Sequence, residues 1–340
     1  MKEFSGYRKG INLGGWLSQC DHSRKHYDSF ISESDISRIS GWGLDHVRLP
    51  VDHELVRSAD GSINNDGFKY IDRCLEWCEN HNLNMILDLH KTAGYSFDEK
   101  VDDFFRSPKL QDSFVSLWEE FARRYGKYAA RLSFELLNEV VDINVADVWN
   151  DIVKRTIAVI RKHAPVTKIL VGGVRNNSVL WVSKLDAPYD ENVVYTFHFY
   201  EPLIFTHQSA YWVDKMPADY SAEYPNDYDI VVKETEKYLP PMHREIYDII
   251  RTDRADKSFI RAVFADALKA AEERNTAIYC GEYGVIDKAP LRSTLNWFSD
   301  INSVFEECGI SRALWTYKGK DFGITDEHYS EILDELVKLL

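Results

Sequence analysis

"FELLNEVV" (residues 134–141) decides how the rest of the chain is read. Apart from Glu135, Asn138 and Glu139 the run is apolar. A short apolar run of this kind reads as a strand buried on both faces. An unpaired carboxylate is costly to bury and tends to shift its pKa instead. Glu139 at the end of a core strand therefore either stands in a solvated turn just outside the core or has chemistry to do.

Working outward, strand and helix alternate along the whole chain. Strands are expected in "KGINLG" (9–14), "LDHVRLP" (44–50), "LNMILDLH" (83–90), "RLSFELLNE" (131–139), "KILVGG" (168–173), "NVVYTFHFY" (192–200), "AIYCGEYGV" (277–285) and "SRALWTY" (311–317). Between them lie helical patterns at 32–43, 66–81, 110–125, 145–163, 178–185, 258–274 and 290–307, with a last helix at 327–340. In 66–81, for example, Phe68, Ile71, Leu75 and Cys78 share one face. Such alternation implies a parallel sheet, and eight units imply a closed (β/α)8 TIM barrel spanning 1–340 as one domain. The alternative, an open doubly wound sheet, lacks a G-x-G-x-x-G at any helix start. One connection, 203–257, is too long for an ordinary loop and carries Phe205, Tyr211, Trp212, Tyr220, Tyr224, Tyr228, Tyr238 and Tyr247. It is expected to form an inserted subdomain over the C-terminal face; the plainer reading is a satellite cluster packed for its own sake.

The 340 residues are 44% hydrophobic, enough for a large core, and carry a net charge of −14. Such an acidic chain repels phosphate backbones and anionic lipid, which argues against nucleic-acid and membrane partners and suits a neutral or cationic substrate. Five cysteines in no spaced framework argue against a disulfide scaffold, and Cys74 and Cys78, one helical turn apart, read as core. No apolar run is long enough to span a bilayer. The N-terminal stretch has no signal-like apolar core, so the chain as written is expected to be cytoplasmic, or secreted if a signal segment was removed from it. A monomer is expected.

Barrel chemistry gathers at the C-terminal strand ends. Those ends present Arg48, His90, Asn138, Glu139, His198, Tyr200, Glu282 and Trp315. A lone polar residue there is usually a solvated cap, but a whole rim of them reads as an active site. Glu139 and Glu282, on the fourth and seventh strands, can flank one bond. Glycoside hydrolysis needs such a pair: one protonated acid for the leaving oxygen and one ionised carboxylate across the sugar ring. Exposed Trp and Tyr suit stacking on sugar faces.

Taken in order, "RLP" (48–50), "LNE" (137–139), "HFY" (198–200), "GE" (281–282) and a Trp in the eighth strand resemble glycoside hydrolase family 5. The resemblance runs from "GINLGGW" (10–16) to "LWTYKGKDF" (314–322). It is strongest toward bacterial endo-β-1,4-glucanases, through "YIDRCLEWC" (70–78), "FHFYEP" (197–202), "FTHQ" (205–208) and "YCGEYGV" (279–285). It implies a retaining β-glucanase without metal or cofactor, acting on a β-glucan polysaccharide or oligosaccharide. Within it, Glu139 is the acid/base, Glu282 the nucleophile, and Asn138 the partner of the sugar 2-hydroxyl. Arg48 and Tyr200 would orient Glu282, His90 and His198 would shape the site, and Trp315 would be the stacking platform. Gly281 and Gly284 would allow close approach around Glu282. One departure concerns "DLHKTAGY" (88–95), where Lys91 stands at the position of a second His in many family cellulases. Lys91 would contact a sugar hydroxyl or pair with a nearby acid. Trp212, with one or more tyrosines of the inserted segment, is expected to face the glycan.

Alternatives remain at this level. The chain could be another family 5 enzyme, such as a β-1,3-glucanase, mannanase or xyloglucanase. It could be a metal-dependent hydrolase, with His90, Glu139, His198 and Glu282 as ligands, although its first strand has no His-x-His. It could also be a non-catalytic glycan-binding module, which would not need both glutamates.

Overall fold

The alternation resolves into a closed parallel barrel in the computed structural model, which describes every residue except 59 and 100. The barrel strands are β1 (Lys9–Asn12), β2 (His46–Asp52), β3 (Asn84–Lys91), β4 (Leu132–Glu135), β5 (Ile169–Gly172), β6 (Val193–His198), β9 (Ala277–Glu282) and β10 (Ser311–Leu314). Two further short strands, β7 (Asn226–Asp227) and β8 (Arg254–Ala255), pair antiparallel outside it. Each barrel strand pairs with its neighbours in chain order, and β10 closes on β1. The fold is a (β/α)8 TIM barrel.

The helices form where apolar spacing and caps coincide. Asn65–Asn80 starts on Asn64, whose side chain accepts from the Asp66 N–H, and buries Phe68, Ile71, Cys74, Leu75 and Cys78. Pro108–Tyr125 opens with proline at its first turn on a Ser107 cap and buries Phe114, Leu117, Trp118 and Phe121. Cys74 and Cys78 are free thiols in this core, as their spacing suggested. Inside the barrel a separate cluster of Ile86, Leu170, Val194, Ala277, Tyr279 and Ala313 is closed by Phe4 and Tyr7, whose rings stack at 4.3 Å. The barrel is thus filled rather than open through its axis. Among the described residues no helix is long and apolar enough to cross a membrane.

Three expectations change in detail. β4 ends at Glu135, so Asn138 and Glu139 lie beyond the last paired residue of that strand. The chain nevertheless keeps its direction, because the Leu136 N–H donates to Leu170 O at 3.2 Å and the Asn138 N–H to Leu89 O at 3.1 Å. The last helix covers only Leu333–Leu339, after a separate 3-10 turn at Glu327–Tyr329. The stretch 203–257 contains a helix, Tyr228–Tyr238, where no regular element was expected. Its sequence, rich in β-branched residues and threonine, has weak helical propensity. It forms because Asp227 caps it and Val231 and Thr235 bury one face. This stretch leaves β6, passes through β7, and returns through β8 to the helix Lys257–Glu273 ahead of β9.

Candidate active site

The site is assembled around one guanidinium. Arg48, on β2, is fully buried, and five side chains surround it. It donates to both oxygens of Glu135 on β4, from Nε at 2.7 Å and Nη2 at 3.1 Å. Nη2 also donates to Asn138 Oδ1 at 2.8 Å and lies 3.1 Å from Asp88 Oδ2. Nη1 donates to Asn12 Oδ1 at 2.9 Å and to Glu282 Oε1 at 2.8 Å. A planar fork with five N–H groups is the side chain able to satisfy such a ring of acceptors. Arg48 therefore sits behind the carboxylates, not in the cleft.

Glu282 closes β9 and takes its second hydrogen bond from Tyr200, whose hydroxyl donates to Oε2 at 3.0 Å. Burial pushes the Tyr200 phenol up, so it stays a donor. Gly284, just after Glu282, has no room for a side chain, since a Cβ there would meet the Trp315 carbonyl at 2.3 Å.

Glu139 has different neighbours. Its Oε1 lies 2.8 Å from His198 Nδ1, and its Oε2 accepts from Asn176 Nδ2 at 3.0 Å. Its backbone is held by Tyr95, whose hydroxyl donates to the Glu139 carbonyl at 2.5 Å and accepts from the Val141 N–H at 2.9 Å. Burial raises the Glu139 carboxyl to about 7. Burial also lowers both His90 and His198 to about 4, which leaves two neutral imidazoles beside the carboxyls. His90 is oriented by Asp88, with Nδ1 2.6 Å from Oδ2, and its ring lies parallel to Trp315 at 5.7 Å.

These groups open into a cleft of about 950 Å³ whose lining includes His90, Glu139, His198, Tyr200, Glu282 and Trp315. The inserted stretch supplies one wall, with Tyr211 and Trp212 among its residues. Lys91 is outside the cleft lining; it pairs with Asp98 at 2.7 Å and faces a neighbouring cavity. Successive strand residues point to opposite sides, so with His90 turned inward Lys91 turns away.

Asn12, Asp88, Glu135 and Asn176 were not singled out by the sequence. Glu135 did leave a signal, a charge in the middle of an apolar strand. Asn176 left none, because it sits in a loop with no periodicity.

Oxygen and nitrogen atoms of Glu139, His198 and Glu282 lie within 4.8 Å of one another, close enough to suggest a metal. The donor set does not fit one. Both Glu282 oxygens already accept from Arg48 and Tyr200, and a divalent cation would face the Arg48 guanidinium across a single carboxylate.

Comparison with known proteins agrees with this arrangement. The family model for cellulase (glycosyl hydrolase family 5) matches residues 8–321. Cellodextrinase A of Ruminococcus flavefaciens is 44% identical over 314 residues, covering 92% of this chain and 86% of its own. Endoglucanase C of Acetivibrio thermocellus is 39% identical over 342 residues, covering 98% of each. In structure, the endoglucanase of the hyperthermophile Thermotoga maritima aligns with a TM-score of 0.77 at 22% identity, over 98% of this chain and 97% of its own. A match that takes in every strand of the barrel, together with a relative at 44% identity, means that this chain belongs to the cellulase family, glycosyl hydrolase family 5.

Proposed function

We propose that the protein is a retaining endo-β-1,4-glucanase that cuts internal bonds of cellulose-type or mixed-linkage β-glucans by double displacement. The observation that carries this reading is the pairing of two carboxyls, a Glu139 oxygen within 4.8 Å of a Glu282 oxygen, in opposite surroundings. Glu282 is held by a cation and a phenol. Glu139, raised to about 7, keeps a proton near neutrality. Retaining enzymes place the two groups roughly 5–5.5 Å apart, whereas inverting ones need about 6.5–9.5 Å to admit a water. The names of the endoglucanase and cellodextrinase relatives support the same substrate class.

In this reading a Glu282 oxygen attacks C1 of the sugar, the C1–O glycosidic bond breaks, and the Glu139 proton goes to the leaving oxygen. Water then attacks C1, Glu139 takes its proton, and the bond to Glu282 breaks. Asn138 has its Oδ1 committed to Arg48, which leaves the amide N–H groups for the sugar 2-hydroxyl. Among the described residues His90 Nε2 and His198 Nε2 have no protein partner, and both suit hydroxyls of the same sugar. Trp315 would lie under it.

The test is stereochemical. Hydrolysis of a β-cello-oligosaccharide followed by proton NMR is expected to give the β-anomer first, with the α-anomer appearing only by mutarotation. A first-formed α-anomer would overturn the double displacement.

The cleft wall gives a second expectation. Trp212 is 43% exposed and meets His207 and Tyr211 edge-on. If it stacks on a sugar away from the reacting bond, Trp212→Ala lowers kcat/KM on a polysaccharide about tenfold more than on an aryl cellobioside, with the melting curve unchanged. Equal losses on both, together with a lower melting temperature, would make Trp212 a packing residue of the inserted stretch.

A further inference from the structure

We propose that Asn176 is a positioning residue that fixes the carboxyl of Glu139 for proton transfer, and that the inserted stretch steadies it through Arg175. The proposal rests on the assignment of Glu139 as acid/base.

Arg175, Asn176 and Asn177 follow one another after β5 with φ of 61°, 54° and 53°, all left-handed. Three such residues in a row, none of them glycine, are conformationally costly and persist only where the surroundings impose them. The contacts of Asn176 supply that constraint. Its backbone N–H donates to Val140 O at 2.9 Å, and its side-chain Nδ2 donates to Glu139 Oε2 at 3.0 Å. One residue thus clasps both the carboxyl of Glu139 and the Val140 carbonyl, while Tyr95 holds the Glu139 carbonyl and the Val141 N–H. Asparagine is among the few side chains that tolerate this conformation and still carry a donor. The amide N–H holds Oε2 and His198 Nδ1 lies 2.8 Å from Oε1, so both carboxyl oxygens are fixed in place.

Arg175 extends the contact outward. Its guanidinium pairs with the Glu245 carboxylate and donates to the Met242 carbonyl, both in the inserted stretch. Arg175, Asn176 and Met242 all line the cleft. The segment that walls the glycan cleft is therefore tied, through two adjacent residues, to the group that would give up the proton.

The variant Asn176→Gly removes the side-chain half of the clasp and keeps the backbone N–H on Val140, without strain, because glycine adopts φ near 54° freely. The charged and titratable groups around Glu139 stay in place: His198, Glu282, His90, Arg48, Asp88, Tyr200 and Asp98. The Asn176 hydrogen bond favours the ionised carboxylate and so holds the Glu139 pKa down. Without it, the alkaline limb of kcat/KM on cellotetraose is expected to move up by roughly one pH unit. At the optimum, kcat/KM on cellotetraose is expected to fall about tenfold, with a much smaller loss on 2,4-dinitrophenyl β-cellobioside, whose leaving group needs no proton. Asn176→Asp, which sets a second carboxylate against Glu139, should move the limb further in the same direction. Glu245→Gln, which loosens Arg175, should move it the same way by less, and an unmoved limb there overturns the bracing role. An unmoved limb in Asn176→Gly, with equal losses on both substrates, overturns the positioning role. Glu139→Gln measured alongside separates the two assignments: if it still hydrolyses cellotetraose at the wild-type rate, the acid/base reading has failed instead.

Discussion

Glu282→Gln is expected to abolish turnover of every β-glucoside, activated or not, while Glu139→Gln retains a first step on 2,4-dinitrophenyl β-cellobioside. The asymmetry follows from the two surroundings. An amide at 282 can still accept from Arg48 through its oxygen and turn its NH2 to the Tyr200 hydroxyl, but it cannot form the bond to C1. An amide at 139 keeps its place between His198 and Asn176 but has no proton to give. General acid catalysis is worth about 10²–10⁴-fold, so the Glu139 variant should lose that much on cellotetraose and little of the burst on the dinitrophenyl substrate. Azide supplied in place of water should speed its second step, giving a β-glycosyl azide. Burst amplitude and product anomer decide the matter, and identical behaviour of the two variants on the activated substrate would reverse or remove the assignment.

The second large effect is on stability. Arg48→Met is expected to destabilise the fold by about 3–5 kcal/mol, because it leaves buried carboxylates without their cation. Glu135 and Asp88 are fully buried, and even beside Arg48 burial raises Asp88 to about 7. Without the guanidinium both carboxyls rise further above their unfolded values. Wild type and variant lose stability in parallel while a carboxyl is protonated in both folded states, so the deficit of the variant grows only as pH climbs past the wild-type folded value, for Asp88 from about 7 upward. Urea unfolding at pH 4.5 and 8 measures this. A deficit independent of pH would mean that lost packing, not lost charge, dominates.

The eight strands were legible because a strand buried on both faces stays apolar along its length, and helices with caps separate them. The end of β4 was not legible: Leu136 and Leu137 remain buried past the last pairing, so apolarity overstates the strand. The helix Tyr228–Tyr238 was hidden because its stability comes from a cap and from packing rather than from propensity. At the rim, His90, His198, Tyr200, Glu282 and Trp315 could be found from strand-end position, and they do converge. Asn12, Asp88 and Glu135 could not be grouped with Arg48, because residues far apart in sequence meet only when the barrel closes. Asn176 is further from reach still, since its position depends on a left-handed backbone that no pattern announces.

The short ribbon of Asn226–Asp227 against Arg254–Ala255 has a consequence for the history of such a chain. Asp227 and Arg254 are direct partners in that ribbon, so the excursion from 228 to 253 begins and ends at nearly one point. A loop whose ends meet can be lengthened, shortened or replaced with little strain on its host, because closure entropy grows only slowly with loop length. The barrel then serves as a socket and the excursion as an exchangeable cassette. Because Glu245 within the cassette grips Arg175, a chain that traded it for another would alter, in one event, both the glycan surface it presents and the grip on its proton donor.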